Sequence, residues 1–323
     1  MQRIGVLTSG GDAPGMNAAI RAIVRRAWHH DIEVVGYEDG YSGLVEGAYR
    51  ELDNRSVGNV IQRGGTILGT SRCAEFYRPD VRALAAQRMV ADGIKGLVVI
   101  GGDGSFRGAL ELAEEHGVAV CGIPGTIDND VWGTEETLGF DTAVNTAMQA
   151  IDALRDTSES TGTNFFVEVM GRTSGAIALY TGLAAGAAGV LIPETSEPPI
   201  ELAKRLQRSI GRGKRSHIVV VSEGDEAGGA FGVAHQVAEL MDIEFRVTVL
   251  GHTQRGGSPT ARDRIIATES GVLAVDALVA GTYGMMAGMQ HREPTLVPLA
   301  DVVAHRHSEA ELDKLRLAME LAG

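Results

Sequence analysis

Two glycine-rich segments, each with an aspartate, are the first parts of the sequence that suggest chemistry. TSGGDAPGMN (Thr8–Asn17) and GGDGSFRG (Gly101–Gly108) each stand between an apolar run and a helical pattern. Such a turn presents backbone N–H groups and a helix N-terminus at the carboxyl edge of a sheet, where anions bind. Neither segment is a Walker A loop, and the glycine after Gly102 and Gly104 comes at Gly108, one residue late for a dinucleotide fingerprint. One such loop is also typical of an ordinary tight turn, but two indicate phosphate binding.

A pair of carboxylates follows the next apolar run, in PGTIDND (Pro124–Asp130). Asp128 or Asp130 could take the proton from an attacking hydroxyl, and a carboxylate could also hold Mg²⁺ directly or through water. An Asx turn, in which Asp and Asn bond their own backbone, is the structural alternative. The two phosphate loops favour catalysis.

Basic residues stand near the ends of predicted strands: Arg72, Arg172, Arg246, His252 and Arg255. One arginine guanidinium can bind two phosphate oxygens, and phosphoryl transfer depends on positioning and positive charge. A single arginine more often belongs to a solvated surface. Arg255 differs, because it stands between His252 and a pair of glycines.

Strand, loop and helix alternate along the chain. Apolar runs at Ile4–Leu7, LVVI, VAVCGIP, FFVEVM, VLIP, HIVVVSEG and RVTVLG predict strands. A helix is predicted from Met16 to about Trp28, and another over FRGALELAEEHG, ending at Gly117. This alternation predicts an α/β protein, with doubly wound, mostly parallel sheets and helices on both faces. The number of strands favours two lobes with a cleft between them.

Bulk composition excludes several classes. The formal net charge of −13 argues against a nucleic-acid or membrane-surface binder. Cys73 and Cys121 form no disulfide framework or metal motif, and the N-terminus has no signal-peptide pattern, so we expect a cytoplasmic protein. The uncharged stretch Ser174–Pro193 is rich in Ala and Gly, which favours a buried helix running into a strand over a membrane span.

Seven ordered blocks resemble the 6-phosphofructokinase family: TSGGDAPGMNAAIR, QRGGTILGTSR, GGDGS, PGTIDND, EVMGR, SEG and VLGHTQRGGSP. The resemblance runs from residue 4 to about residue 290. It implies a larger ATP-binding lobe (residues 1–138 plus 252–304) and a smaller sugar-phosphate-binding lobe (residues 139–251 plus 305–323). It also implies a glycolytic kinase that transfers the γ-phosphoryl of Mg-ATP to the 1-hydroxyl of fructose 6-phosphate.

The resemblance also implies roles for individual residues. Asp103 would hold Mg²⁺ through water. The residues that would line the ATP site are Gly11, Tyr41, Arg72, Cys73, Gly102, Asp103, Gly104, Ser105 and Gly108. Members that use pyrophosphate carry Asp at Gly104 and Lys at Gly125, so the glycines here favour ATP.

On the acceptor side, Asp128 would be the base, with Thr126 and Asp130 beside it. Arg172 would stabilise charge on the transferring group. The family is typically a homotetramer with shared sites, and Arg246 would reach in from a neighbouring subunit. The remaining sugar-phosphate contacts would be Met170, Gly171, Glu223, His252 and Arg255.

Two departures from the family pattern bear on specificity and regulation. Thr163 stands where the family usually has an Arg that, from the neighbouring subunit, helps bind the substrate's 6-phosphate. Asn54, Ala188 and Ser216 replace an Arg, an acidic residue and a His of the effector site. The basic positions that could still bind an anionic effector are Arg21, Arg25, Arg155, Arg212 and Lys214.

Three alternatives remain open from the sequence. A kinase of another ketose or sugar phosphate would be consistent with Thr163. A pyrophosphate-dependent phosphotransferase is disfavoured by Gly104 and Gly125. A catalytically silent regulatory subunit would be expected to lack the catalytic groups, all of which are present.

Overall fold

The computed structural model describes residues 1–195, 197–224, 228–305 and 312–322. The chain divides into two compact units, Met1–Asp141 with Arg255–His307 and Thr142–Gln254 with Ser308–Gly323. No helix in the described ranges is both long enough and apolar enough to cross a membrane.

The first unit is built on one sheet. Its strands are β1 (Arg3–Thr8), β2 (Glu33–Tyr37), β3 (Tyr49–Leu52), β4 (Leu97–Gly101), β5 (Val120–Pro124), β10 (Met285–Gln290) and β11 (Glu293–Pro298). The strand order is β11-β10-β5-β4-β1-β2-β3, with β5, β4, β1 and β2 parallel. The antiparallel strands β3 and β11 close the two edges. The carboxyl ends of β1, β4 and β5 therefore lie side by side.

The helices of this unit pack on the sheet. They are α1 (Met16–His29), α2 (Tyr41–Glu46), α3 (Pro79–Ala91), α4 (Asp103–His116), α9 (Ala261–Ala280) and α10 (Leu299–Ala304). Leu97 to Ile100 are fully buried, as expected for a strand covered on both faces. Packing of apolar side chains on both sides of β4 fixes the positions of the loops at its ends.

The second unit has a smaller parallel sheet. Its strands are β6 (Asn164–Val169), β7 (Gly189–Leu191), β8 (Ile218–Ser222) and β9 (Phe245–Val249), in the order β7-β8-β6-β9. Its helices are α5 (Phe140–Thr161), which begins just before the unit, α6 (Ala176–Ala184), α7 (Pro199–Gly211), α8 (Gly229–Met241) and α11 (Leu312–Leu321). Phe166, Leu202 and Val219 belong to its core.

The predicted α/β class, with mostly parallel sheets and helices on both faces, is confirmed. The strands expected from apolar runs are all present, and the stretch from Ser174 contains α6 and β7. The sequence did not reveal β2, β3, β10 and β11. The helix expected from Phe106 begins three residues earlier, at Asp103, because Gly102 O accepts from the N–H groups of Ser105 and Phe106.

Candidate functional site

The two glycine-rich loops of the first unit contact each other. Ser105 Oγ donates to Ser9 O at 3.2 Å, and Ser9 N donates to Ile100 O at 2.9 Å. A Cβ on Gly101 would lie 2.6 Å from both Ser9 O and Ser105 Oγ, closer than real Cβ contacts come. Glycine is therefore required at this position if the loops after β1 and β4 are to meet.

An aromatic pair supports the start of α4. The buried Tyr41 donates its hydroxyl to Ser105 O at 2.6 Å and stacks on Phe76 with ring centroids 4.0 Å apart. A Cβ on Gly108 would meet Phe76 at 3.1 Å. Burial raises the pKa of the Tyr41 phenol, so the hydroxyl stays a proton donor. Tyr41, Ser105 and Gly108 were predicted together, whereas nothing in the sequence pattern singled out Phe76.

The loop after β5 joins the same edge. Gly125 N donates to Gly101 O at 3.0 Å, and a Cβ on Gly102 would lie 3.9 Å from Thr126 Cβ. Asp128, which is 2% exposed, donates its backbone N–H to Thr126 Oγ1 at 3.2 Å. Thr126 and Asp128 are thus brought beside the second glycine-rich loop, and Asp130 follows them in the same loop.

Side chains of this loop hold its turn. Asn129 has a left-handed backbone, with φ of 49°, and its Oδ1 accepts from Thr137 N at 2.9 Å. Thr137 Oγ1 donates to Thr126 O at 2.6 Å. Asn129, one residue after the carboxylate proposed as the base, therefore does not form the local Asx turn, because its Oδ1 bonds a backbone group eight residues away.

Asp103 and Gly104 occupy the first turn of α4, where unpaired backbone N–H groups and the helix dipole favour anions. A Cβ on Gly104 would find no atom nearer than Tyr77 Oη at 3.8 Å, so the space beside it is open. Among the described residues no cluster of three or more His, Cys, Asp or Glu could hold a metal. One carboxylate suits a divalent cation that is carried mainly by bound phosphates and water.

Arg255 reaches the first glycine-rich loop. Its Nη1 donates to Asp12 O at 3.1 Å, and a Cβ on Gly11 would lie 2.4 Å from that nitrogen. Gly10 N donates to Ser71 O at 3.3 Å, so the segment before Arg72 and Cys73 is also tied to this loop. Arg72 is exposed, and Cys73 is partly buried against the large core cluster.

In the second unit, the loops after β6 and β8 meet at Arg172. Its backbone is left-handed, with φ of 54°, and its N–H donates to Glu223 Oε1 at 2.9 Å. Cβ atoms on Gly171 and Gly224 would lie 2.2 Å from Ser174 O and 1.8 Å from Arg172 O. Gly171, Arg172 and Glu223 are therefore brought together, with the Arg172 side chain exposed.

The loop after β9 joins this second edge through Gln254, which the sequence analysis did not select. Gln254 is fully buried, and its Oε1 accepts from Met170 N at 3.3 Å. His252 is exposed in the same loop. In the sequence, Gln254 is marked only by being polar and by lying between His252 and Arg255.

Two predicted acceptor residues lie away from this edge within the second unit. Arg246 is the second residue of β9, 66% exposed, and pairs with Glu244 at 3.6 Å. Thr163 precedes β6, whose residues span about 20 Å at ~3.3 Å each, so it lies at the opposite end of the strand from Met170. Thr161 Oγ1 donates to Thr163 Oγ1 at 2.7 Å.

The possible effector residues fall in both units. Arg21 and Arg25 lie four positions apart on α1, and the pKa of Arg21 is lowered by burial and by the charge of Arg25. In the second unit, burial and the charge of Arg155 lower the pKa of Lys214. Arg155 also donates to Ala185 O, and Arg212 caps α7.

Comparison with known proteins gives concordant matches. The family model described as "Phosphofructokinase" matches residues 3–278. Over the full length of both chains, the sequence is 55% identical to ATP-dependent 6-phosphofructokinase 1 of Thermus thermophilus. It is 49% identical, also at full length, to the ATP-dependent 6-phosphofructokinase of Halalkalibacterium halodurans.

Solved structures agree. Phosphofructokinase from Saccharomyces cerevisiae has a TM-score of 0.88 and 33% identity, covering 100% of this chain and 48% of the yeast chain. This chain thus spans about half the length of the yeast chain. A pyrophosphate-dependent phosphofructokinase from Marinobacter aquaeolei shares the fold, with a TM-score of 0.86 and 22% identity, covering 99% of this chain and 92% of that one.

Proposed function

Because the chain belongs to the phosphofructokinase family, we propose that it transfers the γ-phosphoryl of ATP to the 1-hydroxyl of fructose 6-phosphate, giving fructose 1,6-bisphosphate and ADP. The observation that carries this proposal is the joining of the loops after β1, β4 and β5 at one sheet edge. That edge combines a helix N-terminus for phosphate with a buried carboxylate for proton transfer.

Asp128 is the proposed general base. Its carboxylate takes the proton of the 1-hydroxyl while the hydroxyl oxygen attacks the γ-phosphorus and ADP leaves. The hydrogen bonds around Thr126, Asn129 and Thr137 hold the loop, so the carboxylate needs little reorganisation during the reaction.

Nucleotide binding is assigned to the N-terminus of α4 and the adjoining loops. The open space beside Gly104 supports ATP as donor, because a nucleotide α-phosphate needs room that an Asp side chain would fill. Mg²⁺, when bound, would neutralise charge on the β- and γ-phosphates, and Asp103 is the residue proposed to hold it through water.

Groups of the second unit are proposed to bind the sugar phosphate. Arg172 would stabilise charge on the transferring group, and Glu223, which accepts the Arg172 N–H, would hold the sugar together with Met170 and His252. We further propose a homotetramer in which Arg246 binds acceptor in a neighbouring subunit. Its 66% exposure supports that role.

We also propose a cytoplasmic location and an anion-binding effector site. The two free cysteines, Cys73 and Cys121, suit a reducing compartment. Burial and, to a smaller extent, the neighbouring charges of Arg25 and Arg155 lower the pKa of Arg21 and of Lys214, respectively, and a bound anion would offset the repulsion in each pair. Titration with ADP and with phosphoenolpyruvate, followed by initial rates, would identify the anion.

The acceptor and donor are tested by initial rates with Mg-ATP and a panel of fructose 6-phosphate, fructose, tagatose 6-phosphate and sedoheptulose 7-phosphate. The highest kcat/KM is expected with fructose 6-phosphate. Another acceptor that exceeds it tenfold, about 1.4 kcal/mol, would replace the substrate but keep the chemistry. Pyrophosphate in place of ATP is expected to support no turnover, and turnover by the purified chain excludes a silent subunit.

A further inference from the structure

A cavity of about 380 Å³ opens in the first unit, away from the loops proposed for catalysis. Its lining includes Arg3 and Glu33, the first residues of β1 and β2, and Leu52, the last residue of the antiparallel β3. It therefore lies at the amino ends of the parallel strands, whereas the glycine-rich loops follow their carboxyl ends. The volume is within the range typical of small-molecule sites, roughly 300–1,000 Å³.

The floor of this cavity is apolar and one wall is aromatic. Val24, Val34 and Leu52 are buried and line it. Trp28, in the last turn of α1, also lines it and is 67% exposed. A tryptophan face beside an apolar floor suits the flat or aliphatic body of a ligand, and it is the best aromatic partner for a cation.

The rim of the cavity is acidic. Four carboxylates line it, those of Asp31, Glu33, Glu51 and Asp53, against the single guanidinium of Arg3, which leaves −3 among these lining residues. Arg3 is already paired, with Glu33 at 3.5 Å and Glu51 at 3.2 Å. A hydrogen bond from the backbone N–H of Ser56, with smaller contributions from the Ser56 hydroxyl and from the N–H and charge of Arg55, lowers the pKa of Asp53, so that group stays ionised.

Two further features favour a donor-bearing cation over an anion or a neutral apolar ligand. Asn54 Oδ1 is buried beside the cavity and has no hydrogen-bond partner within the described structure, so a ligand donor would satisfy it. The carbonyl end of α1 also favours positive charge. Arg26, a basic residue of that last turn, is instead bonded to Asp276 at 2.6 Å and 2.9 Å.

We propose that this cavity binds a small organic cation, an ammonium or guanidinium group on an apolar body. The apolar body packs on Val34, Leu52 and the Trp28 ring. The cationic head lies at the carboxylate rim and donates to Asn54 Oδ1. This site is separate from the proposed kinase reaction, because none of its lining residues belongs to the glycine-rich loops, and Asn54 is the one lining residue that also stands at an effector-site position.

The test uses 2-phenylethylammonium as the probe and 2-phenylethanol as its neutral counterpart. The chain has two tryptophans, and Trp28 is the exposed one at the cavity, so binding is followed by tryptophan fluorescence and by calorimetry on the full-length protein. Saturable binding of the cation at least tenfold tighter than the alcohol is expected, weakening as salt is raised because the rim charges are screened. Equal affinity for the two compounds, or no saturable binding, would overturn the proposal.

Two variants locate the site. Asp31→Asn removes one rim charge without a backbone penalty, because Asp31 has φ of 55° and Asn tolerates that region. It is expected to weaken the cation at least threefold and to leave kinase turnover unchanged. Trp28→Phe should abolish the fluorescence change and weaken binding in the calorimeter.

Glu239→Asn, an exposed substitution on α8, is the matched control and should change nothing. Unchanged calorimetric affinity in both Asp31→Asn and Trp28→Phe would refute the site. Dissociation of the native oligomer by Trp28→Glu, without cation binding by the wild type, would also refute it and would assign the cavity to contact with a second copy.

Discussion

The two sheet edges differ in how their chemistry is held. In the first unit the proposed groups are backbone N–H groups of α4 and a carboxylate, Asp128, that is 2% exposed. In the second unit they are mainly exposed side chains, Arg172, Glu223 and His252, carried by tightly packed turns. Under the proposed assignments, phosphate recognition is therefore built into the backbone, whereas acceptor recognition depends on exposed side chains.

The largest expected effect tests the buried carboxylate of the first edge. Asp128→Ser should lower kcat by about 100-fold or more, because the proposed base is removed, while nucleotide affinity stays within a few-fold. Steady-state rates measure kcat, and nucleotide titration measures the nucleotide affinity. Asp242→Asn, on the surface of the second unit, is the control. Turnover near the wild-type rate in Asp128→Ser would show that another group takes the proton.

A second prediction tests the core of the second unit through pH. His217 is 2% exposed and bonds Asn164 Oδ1 and Ser209 Oγ, each at 3.0 Å. Burial, with help from the charge of Lys214, lowers the pKa of His217 from its ordinary 6.5 to about 4. Between these values the unfolded chain binds a proton that the folded chain does not, so stability falls as pH falls from 6.5 to about 4.

The lowered pKa of His217 reduces the free energy of unfolding by about 3 kcal/mol at pH 4 and below, and it has no effect above pH 7. Denaturant unfolding of the wild type and of His217→Gln across this range measures it, and the variant should show the shallower pH dependence. His235→Gln, whose imidazole is 75% exposed, should follow the wild type. Parallel curves for wild type and His217→Gln would contradict the assignment.

The sequence predicted the elements that depend on local pattern. Buried runs such as LVVI at β4 are continuously apolar and end at glycine, so their strands and the following loops could be located. The start of α4 was placed three residues late, because glycines at 102 and 104 suggested a loop although Gly102 O accepts two helical bonds. The strands β2 and β10 lacked a comparable signal.

Contacts between distant segments could not be read from the sequence. The Tyr41–Phe76 stack and the bond of Met170 N to Gln254 join residues far apart along the chain. The family resemblance implied a role for Tyr41 but none for Phe76 or Gln254. The position of Thr163, at the end of β6 opposite Met170, likewise depends on where the strand starts and stops.

A pair of glycines tests whether the first edge is shaped by backbone packing. Gly101→Ala places a Cβ 2.6 Å from Ser9 O, so it should lower the free energy of unfolding by about 1–3 kcal/mol and weaken ATP binding. Gly104→Ala meets only Tyr77 Oη at 3.8 Å and should raise the KM for ATP without loss of stability. Denaturant unfolding measures the stability of each variant, and steady-state kinetics measure its KM for ATP. Equal stability losses would show that packing does not distinguish these glycines.

The smallest effect tests acceptor recognition by a side chain that lies away from the second edge. Thr163→Arg should lower the KM for fructose 6-phosphate by about tenfold, or 1.4 kcal/mol, because in the proposed tetramer the new guanidinium would make a charged hydrogen bond to the 6-phosphate of acceptor bound by a neighbouring subunit, which contributes about that much. The KM for ATP and for unphosphorylated fructose should not change, since neither presents that phosphate. Thr161→Arg serves as the control, because it also removes the hydrogen bond of 2.7 Å between the Thr161 and Thr163 hydroxyls. An equal fall in the KM for fructose, or an equal fall in the KM for fructose 6-phosphate in Thr161→Arg, would mean that the added charge acts non-specifically. Acceptor recognition would then not extend to residue 163.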